Sequence, residues 1–152
     1  MLHVTDCVIF DIDGTVANGS HRQVHLKDGK KDWKTYKALN HLDTRIHEVH
    51  HLYMKLVQHH HVVFVSGRTE DERDVTVEWL RDNHFFGYSD LFLREAYDYR
   101  DDSVVKEEIL HNKVIPEYGK PLFVFEDRKR VKRMWVKNGI FVLDVNQHDE
   151  EF

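Results

Sequence analysis

Cysteine is the residue that this sequence most clearly lacks, since Cys7 is the only one among 152 residues. A single cysteine excludes a disulfide framework and a cysteine-rich zinc site, and it fits a reducing compartment. Only two prolines and seven glycines are present, and no linker or low-complexity tract stands out. No apolar run approaches the roughly 20 residues that cross a bilayer, and no charged-then-apolar leader opens the chain. We therefore expect a soluble cytoplasmic protein with no membrane partner.

The charge balance is mildly acidic, with 22 lysines and arginines against 27 aspartates and glutamates, a formal net charge of −5. This argues against a protein that follows long stretches of nucleic-acid backbone by charge alone, although it allows one that binds a single phosphate. Hydrophobic residues make up 41% of the chain and aromatic residues 12%, which excludes a disordered chain. We expect one compact domain over residues 1–152.

Apolar runs of strand length alternate with segments of helical period along the chain. Within each run the residues do not alternate with polar ones, which is typical of parallel strands buried on both faces of a sheet. The sequence therefore predicts an α/β fold, in which helices cover both faces of a five-stranded parallel sheet. Ligands of such sheets bind beyond the carboxyl ends of the strands. The predicted strands are Cys7–Phe10, Val62–Val65, Leu91–Leu93, Leu122–Phe125 and Ile140–Leu143.

Helix boundaries are predicted from capping patterns and from the spacing of apolar residues. An amphipathic helix is expected from Thr44 to about Gln58, because its apolar positions fall three or four residues apart. Thr69 and Glu72 form a capping-box pattern at the start of a second helix. Ser103 is predicted to cap a third helix.

Charged or hydroxyl side chains follow three of the predicted strands, at the edge where a parallel sheet binds its ligand. Neighbouring strands lie about 4.8 Å apart, so these side chains can converge on one small ligand. Crowded carboxylates without cysteine favour a hard cation, with Mg²⁺ as the first choice, while serine, arginine and lysine suit a phosphate. Metal, phosphate and a free carboxylate together indicate phosphoryl transfer. The residues are Asp11 and Asp13 after the first strand, Ser66 and Arg68 after the second, Glu126 and Asp127 after the fourth, and Lys106.

Each of these patterns also has a purely structural interpretation. Asp-x-Asp-Gly is commonly a turn, Ser-Gly-Arg a loop, and Glu-Asp-Arg a favourable start for a helix. Their coincidence, each directly after a buried strand, favours the catalytic interpretation. A non-catalytic phosphate-binding module is the alternative from another class of protein. The intact set of Asp11, Asp13, Lys106 and Asp127 argues against that alternative.

These motifs resemble those of the haloacid dehalogenase superfamily of phosphatases. Residues 102–109 and 126–139 look like the 3′-phosphatase domain of phage polynucleotide kinases and related small phage phosphatases. The resemblance covers nearly the whole chain. The superfamily motifs are matched by Phe-Asp-Ile-Asp-Gly-Thr-Val at residues 10–16, Val-Ser-Gly-Arg at residues 65–68, Lys106, and Phe-Glu-Asp-Arg at residues 125–128.

The resemblance implies a covalent phosphatase mechanism. Asp11 would attack phosphorus to form an aspartyl-phosphate. Asp13 would protonate the leaving group and then activate the water that cleaves the intermediate. The implied ligands of Mg²⁺ are the Asp11 carboxylate, the Asp13 backbone carbonyl and Asp127, with Glu126 a ligand directly or through water.

The resemblance also implies which residues hold the substrate. Ser66 and Lys106 would bind the phosphoryl oxygens, and Lys106 would offset the carboxylate charge. Asp102 is expected to orient Lys106 from one helical turn away. The implied substrate-binding residues are Thr15, Arg22, Arg68, Arg94 and Asp102.

The implied substrate is a 3′-phosphorylated nucleic-acid end, in phage-type nucleic acid repair in the host cytoplasm. A phosphatase of free nucleotides is the alternative. Only about residues 16–42 are left for a cap, so we expect a small flap over an open site. Glu126 stands where the phage domain carries aspartate, which is a chemically mild departure. The sequence contains no kinase P-loop, so a kinase or ligase would be a separate partner, and a homo-oligomer is left open.

Two further patterns invite other interpretations. Thirteen histidines are present, and His47 and His51 lie four residues apart, but no third metal ligand is evident, so a solvated helix face is favoured. His21 is a candidate substrate contact. The basic segment around Trp33 and Tyr36 suits either the stacking of nucleic-acid bases or the packing of a small cap helix, and we favour packing.

Overall fold

The computed structural model describes residues 6–148. Five parallel strands form the central sheet, and two short antiparallel strands form a second, much smaller one. The predicted α/β fold with a five-stranded parallel sheet is confirmed. In chain order the strands are β1 (Cys7–Phe10), β2 (Ala17–Asn18), β3 (Thr44–Arg45), β4 (His61–Thr69), β5 (Asp90–Arg94), β6 (Phe123–Glu126) and β7 (Phe141–Asp144).

Helices connect these strands, and several begin or end in tighter or wider turns. Short 3₁₀ turns cover Ser20–His25, Asn40–Leu42 and Glu70–Glu72, and a π-helical turn covers Leu110–Val114. None of the helices in residues 6–148 is long and apolar enough to cross a membrane. The α-helices are α1 (Trp33–Ala38), α2 (His47–Leu56), α3 (Arg73–Asp82), α4 (Asp102–Ile109), α5 (Ile115–Tyr118) and α6 (Lys129–Lys137).

Strand β1 occupies the centre of the sheet, whose order is β5-β4-β1-β6-β7. Phe10, the last residue of β1, lies opposite Phe64 of β4 and Phe125 of β6. The chain that follows β1 therefore emerges between the carboxyl ends of two flanking strands. In this position a short motif after β1 contacts side chains from both neighbours.

The sheet is buried on both faces, so alternate residues of β1 belong to two different cores. Val8 and Phe10 pack into one core, and Phe10 stacks on Phe125 with ring centroids 4.3 Å apart. Cys7 and Ile9 pack into the core on the other face. All four residues are fully buried, which is why the run carries no polar alternation.

A small flap follows β1, as the sequence predicts. The antiparallel pair β2–β3 closes it, with Ala17 opposite Arg45 and Asn18 opposite Thr44. Between these strands lie two 3₁₀ turns and the six-residue helix α1. The flap therefore runs to residue 45, three residues beyond the predicted end at Leu42.

The predicted start of the amphipathic helix at Thr44 is wrong, because Thr44 and Arg45 form strand β3 and pair with β2. Helix α2 begins at His47 and ends at Leu56, two residues before the predicted end. A periodicity of apolar residues marks which side of a segment is buried, but it does not reveal a two-residue strand. The helix itself and its buried side, with Val49 and Tyr53, are as predicted.

Two other boundaries differ from the prediction, and one is confirmed. Ser103 lies inside α4, and the cap is Asp101, whose carboxylate accepts a hydrogen bond of 2.9 Å from the Ser103 amide. Strand β4 continues to Thr69, well beyond the predicted end at Val65. The capping box of Thr69 is present, since its amide donates to the Glu72 carboxylate at 2.8 Å.

Candidate active site

Asp11 is the first residue after the central strand, and its position is set by the sheet. Its amide donates a 3.1 Å hydrogen bond to the carbonyl of Phe125. Its carboxylate accepts hydrogen bonds from Lys106 Nζ at 2.8 Å and from the Thr15 hydroxyl at 3.1 Å. Lys106 bonds Oδ1 and Thr15 bonds Oδ2, so both carboxylate oxygens accept a hydrogen bond while the side chain remains 7% exposed.

Lys106 comes from helix α4 and lies between two carboxylates. Its Nζ donates to Asp11 at 2.8 Å and to Glu126 at 3.0 Å. Burial disfavours the charged ammonium, but the attraction of Asp11 and Glu126 is larger and raises the Lys106 pKa above its usual range. Lys106 therefore carries a positive charge at the base of the site.

Three buried acidic residues cluster beside this lysine. Ligand oxygens of Asp11, Glu126 and Asp127 all lie within 4.8 Å of one another. Burial and the charges of neighbouring carboxylates raise the pKa values of Glu126 and Asp127. Such repulsion is relieved by a proton or by a cation. Three carboxylates without a nitrogen or sulfur ligand suit a hard cation such as Mg²⁺, so this donor set fits a magnesium ion.

Gly14 makes the close approach of Asp127 to the loop after β1 sterically allowed. Its φ is +83°, and a Cβ at this position would lie 2.0 Å from Oδ2 of Asp127. The φ alone favours glycine, and the carboxylate leaves no space for a larger residue. The sequence Asp-x-Asp-Gly is therefore both a turn and a requirement of the acidic cluster.

Gly14→Ala should lower the free energy of unfolding by more than the strain of the left-handed backbone alone, which costs about 1–3 kcal/mol. The control is Gly29→Ala, because Gly29 has a similar φ of +75° and no atom within 4 Å of its Cβ position. Denaturant unfolding of both variants measures the difference. Equal losses in the two variants would contradict a steric role for Asp127.

Asp13 points away from the acidic cluster and faces two arginines. Arg22 and Arg68 each donate from Nη2 to Asp13 Oδ1 at 2.7 Å. Burial alone would raise the Asp13 pKa, but the two guanidinium groups hold it well below its usual range. The Asp13 side chain is 33% exposed, so this carboxylate is the part of the site that faces solvent.

Asp43 belongs to this network, and the sequence analysis missed it. Its carboxylate accepts two hydrogen bonds from Arg22, at 2.8 and 2.7 Å, and lies 3.4 Å from Nη2 of Arg68. It also contacts His21 Nε2 at 2.8 Å, which places the candidate substrate contact His21 on Asp43. No motif marks Asp43 in the sequence, because only the closure of the flap brings it beside Asp13.

Arg94 and Asp102 lie together at the end of β5. Arg94 donates to the backbone carbonyls of Gly67 and Asp98 at 3.0 Å and to the Asp102 carboxylate. Asp102 also accepts a 2.5 Å bond from Arg128. Lys106 donates its hydrogen bonds to Asp11 and Glu126, and the nearby charge of Asp102 helps to raise its pKa. The expected role of Asp102 in orienting Lys106 stays a prediction.

Two smaller residues of the predicted site, Ser66 and Thr15, lie at the same edge of the central sheet. Ser66 is 1% exposed, and its hydroxyl accepts a 3.1 Å hydrogen bond from the Arg68 amide. Thr15 is fully buried and bridges the acidic cluster, since its hydroxyl lies 3.1 Å from Asp11 and 3.4 Å from Asp127. Arg128, which the sequence analysis did not select, has a side chain that is 33% exposed beside Asp102.

The histidine pattern does not form a metal cluster in residues 6–148, where the acidic cluster is the one group of this kind. His47 Nδ1 lies 3.1 Å from Nη2 of Arg45. His50 contacts the carbonyl of His84 at 3.0 Å and packs against the Phe85 ring. His47 and His51 are exposed on α2, as the favoured interpretation of a solvated helix face expects.

A carboxylate at the end of the central strand, a second carboxylate two residues on, a lysine and an acidic pair define a haloacid dehalogenase-type hydrolase. The sequence pattern of the polynucleotide kinase PNKP phosphatase domain matches residues 5–150. The chain therefore belongs to the PNKP phosphatase domain family.

Solved structures are similar in fold. A chain of the Pnkp1/Rnl/Hen1 RNA repair complex superposes with a TM-score of 0.80 and 24% identity over 97% of this chain. A second structure of a Pnkp1/Rnl/Hen1 complex gives 0.78 and 24% over 99% of this chain. This chain spans 44% and 49% of those two proteins. The HAD-hydrolase YfnB from Bacillus subtilis, bound to magnesium, gives 0.69 and 12% over 97% of this chain and 92% of its own.

Proposed function

We propose that this chain is a magnesium-dependent phosphomonoesterase that removes 3′-phosphates from nucleic-acid ends through an aspartyl-phosphate. The observation that carries the proposal is the arrangement around Asp11. Its carboxylate lies at the end of the central strand, with Lys106 at 2.8 Å. Asp127 and Glu126 complete an acidic cluster on one side, and Asp13 lies on the other side of the loop. Membership of the PNKP phosphatase domain family supports the substrate class.

In the first half of the reaction an oxygen of Asp11 attacks phosphorus, and the bond from phosphorus to the ester oxygen breaks. The leaving alkoxide takes a proton from Asp13. Lys106 holds the Asp11 carboxylate and stabilises charge on the phosphoryl group. Asp11, Asp127, Glu126 and the Asp13 carbonyl would hold Mg²⁺, which would supply a positive charge to offset the charge on the phosphoryl oxygens.

In the second half a water loses a proton to Asp13 and attacks the phosphorus of the aspartyl-phosphate. The bond from phosphorus to Asp11 breaks, which releases phosphate and restores the carboxylate. The ionised form of Asp13 that Arg22 and Arg68 favour suits this step. For the first step Asp13 must carry a proton, and a substrate phosphate dianion beside it raises its pKa because like charge disfavours the ionised form.

The arginines that the sequence predicts to bind substrate lie near Asp13 or at the end of β5. Arg22 and Arg68 lie beside Asp13 with side chains that are 2% exposed, and we propose that they bind the phosphate of a substrate that reaches Asp13. Arg94 braces the backbone between residues 98 and 100, and Ser66 lies close to Arg68. We propose that these groups, with Thr15 and Asp102, shape the phosphate pocket.

The small flap leaves room for a substrate longer than a nucleotide. Since the similar chains come from an RNA repair complex, we also propose that this chain acts together with separate end-processing enzymes. The test is phosphate release from a 3′-phosphorylated oligonucleotide, compared with 3′- and 5′-mononucleotides. We expect the highest kcat/KM for the oligonucleotide. A preference for mononucleotides would replace the proposal with the nucleotidase alternative.

Asp127→Asn should separate metal binding from folding. The amide cannot carry the charge that repels Asp11 and Glu126, so the metal-free variant should be at least as stable as the metal-free wild type. Ligand binding to the folded state raises stability, so Mg²⁺ should raise the Tm of the wild type and not that of the variant. Thermal unfolding with and without Mg²⁺ measures both effects.

Glu78→Gln is the control for removal of one negative charge, because the Glu78 side chain is 64% exposed on α3. This variant should keep the full Mg²⁺-dependent rise in Tm. An undiminished rise in Asp127→Asn would remove Asp127 from the proposed metal site.

A further inference from the structure

Trp33 is an exposed aromatic residue on the flap, and its exposure contrasts with the other tryptophans. It is 55% exposed, whereas Trp79 and Trp135 are 3% and 0% exposed. The sequence favours packing of a small cap helix for Trp33 and Tyr36, and the structure places both on the flap helix α1, none of whose residues is buried. Trp33 meets Tyr36 edge to face at 5.7 Å and leaves most of its indole to solvent.

The two rings lie on a continuous path of contacts that ends in the active site. Tyr36 lies under the guanidinium group of Arg22, which is 4.2 Å from the ring centroid. Arg22 in turn donates to Asp13 at 2.7 Å. A side chain that serves the proposed acid–base residue is therefore stacked on the inner ring, and Trp33 lies outside it, one ring further from the reacting phosphate.

The segment that carries the two rings has the opposite charge to the rest of the protein. Residues 27–37 contain five lysines and two aspartates, in a chain with a net charge of −5. Four of these lysines are exposed around Trp33, namely Lys27, Lys30, Lys31 and Lys34. Basic residues interleaved with exposed aromatic rings suit single-stranded nucleic acid, in which phosphates are screened by lysines while bases stack on the rings.

We propose that Trp33 and Tyr36 form a base-stacking surface for the single-stranded nucleotides that precede the 3′-phosphate. The inference rests on the proposed function, because it assumes that the reacting phosphate is at the end of a nucleic-acid strand. Tyr36 contacts the terminal nucleotide beside Arg22, and Trp33 stacks on a base further along the strand. Since every base has a π-face, this surface accepts any sequence, as end repair requires.

The geometry makes the contribution of Trp33 depend on the length of the substrate. A mononucleotide with its phosphate beside Asp13 reaches the inner ring at most, because Tyr36 lies between Arg22 and Trp33. A strand of several nucleotides reaches both rings and the exposed lysines. The surface therefore favours polynucleotide ends over free nucleotides without changing the chemical step.

The kinetic test compares kcat/KM for 3′-phosphorylated strands of one to six or so nucleotides with kcat/KM for an aryl phosphate. In Trp33→Ala the ratio for the longer strands should fall about 5- to 100-fold, the range expected for one lost stacking contact. Trp33→Phe should restore most of the ratio, because a phenyl ring also stacks. A general folding defect lowers both rates together and leaves the ratio unchanged.

Phe86→Ala is the matched control, since Phe86 is 52% exposed and precedes β5, towards the amino ends of the strands. Its ratio should equal that of the wild type. A ratio in Trp33→Ala that equals the wild-type ratio at every length would overturn the stacking surface while leaving the phosphatase proposal intact.

A binding measurement tests the surface even if no oligonucleotide is hydrolysed. Trp33 is the exposed member of three tryptophans, so quenching of intrinsic fluorescence by a single-stranded oligonucleotide reports on it selectively. We expect quenching by DNA and RNA strands alike, weakened by salt and absent in Trp33→Phe. No quenching by either strand would overturn the proposal. Quenching without hydrolysis would support it and refute only the proposed reaction.

Discussion

Asp11→Asn should abolish turnover, with a loss of about 10⁴-fold or more, as is typical when a covalent nucleophile is removed. The amide is nearly isosteric with the carboxylate but does not attack phosphorus usefully. The side chain can still accept a hydrogen bond from Lys106, which also keeps its 3.0 Å contact with Glu126. Phosphate release from an aryl phosphate measures the effect, because that substrate makes few demands on recognition.

The fold of Asp11→Asn should survive. Removing one charge from the acidic cluster lowers the repulsion on Glu126 and Asp127, whose pKa values the cluster raises. Thermal unfolding should therefore give a metal-free Tm no lower than that of the wild type. An inactive variant that is also unfolded would leave the nucleophile to be tested by Asp11→Glu, which keeps the charge but displaces the oxygen. Wild-type rates in either folded variant would refute the covalent mechanism.

Asp13→Asn should slow the reaction by about 10²–10⁴-fold for an ordinary alkyl phosphate, the usual contribution of a general acid–base group. The loss should be smaller for an ester with an activated phenolate, which leaves without a proton. Asparagine also accepts hydrogen bonds from Arg22 and Arg68, so the two arginines keep a polar partner. The measurement is the ratio of the two rates in wild type and variant.

A loss of rate that depends on the leaving group identifies Asp13 as the proton donor. Equal losses with both esters in the first turnover would exclude Asp13 as the proton donor. Loss of the base function slows cleavage of the intermediate for both substrates, so the comparison uses the burst of the first turnover rather than the steady state. Asp71→Asn is a control, because Asp71 is an exposed aspartate in the 3₁₀ turn that precedes α3.

The sequence predicts the acidic centre of the site well because each of its residues is adjacent to a strand end. Asp11 follows β1, and Glu126 and Asp127 lie at the end of β6, and the strand order brings β1 and β6 together. Lys106 was placed by family resemblance, and the structure puts its Nζ 2.8 Å from Asp11. Patterns of residues next to strand ends therefore predict the part of the site that the sheet positions.

The second network is a product of tertiary closure, and the sequence does not reveal it. Asp43 meets Arg22 because the flap folds back at β3, and Arg68 reaches the same carboxylate from β4. No spacing between residues 22, 43 and 68 signals these contacts. For the same reason Arg22 was expected to face the substrate directly, whereas it faces Asp13 and Asp43 first.

The flap and the sheet differ in local stability. The proposed substrate-binding residues Trp33 and Tyr36 lie on the flap, whereas the acidic cluster lies at the strand ends of the sheet. The flap is held by the two residue pairs of β2–β3 and by side-chain contacts such as that of Arg22 with Asp43. Asp11 follows β1 and Glu126 ends β6, and both of these strands are paired on both sides. Local opening needs less free energy where few buried contacts are lost. Backbone amides of residues 17–45 should therefore exchange with deuterium well before those of β1 and β6. If the flap binds the nucleic-acid strand as proposed, its local opening would release the product while the residues at the strand ends keep their positions.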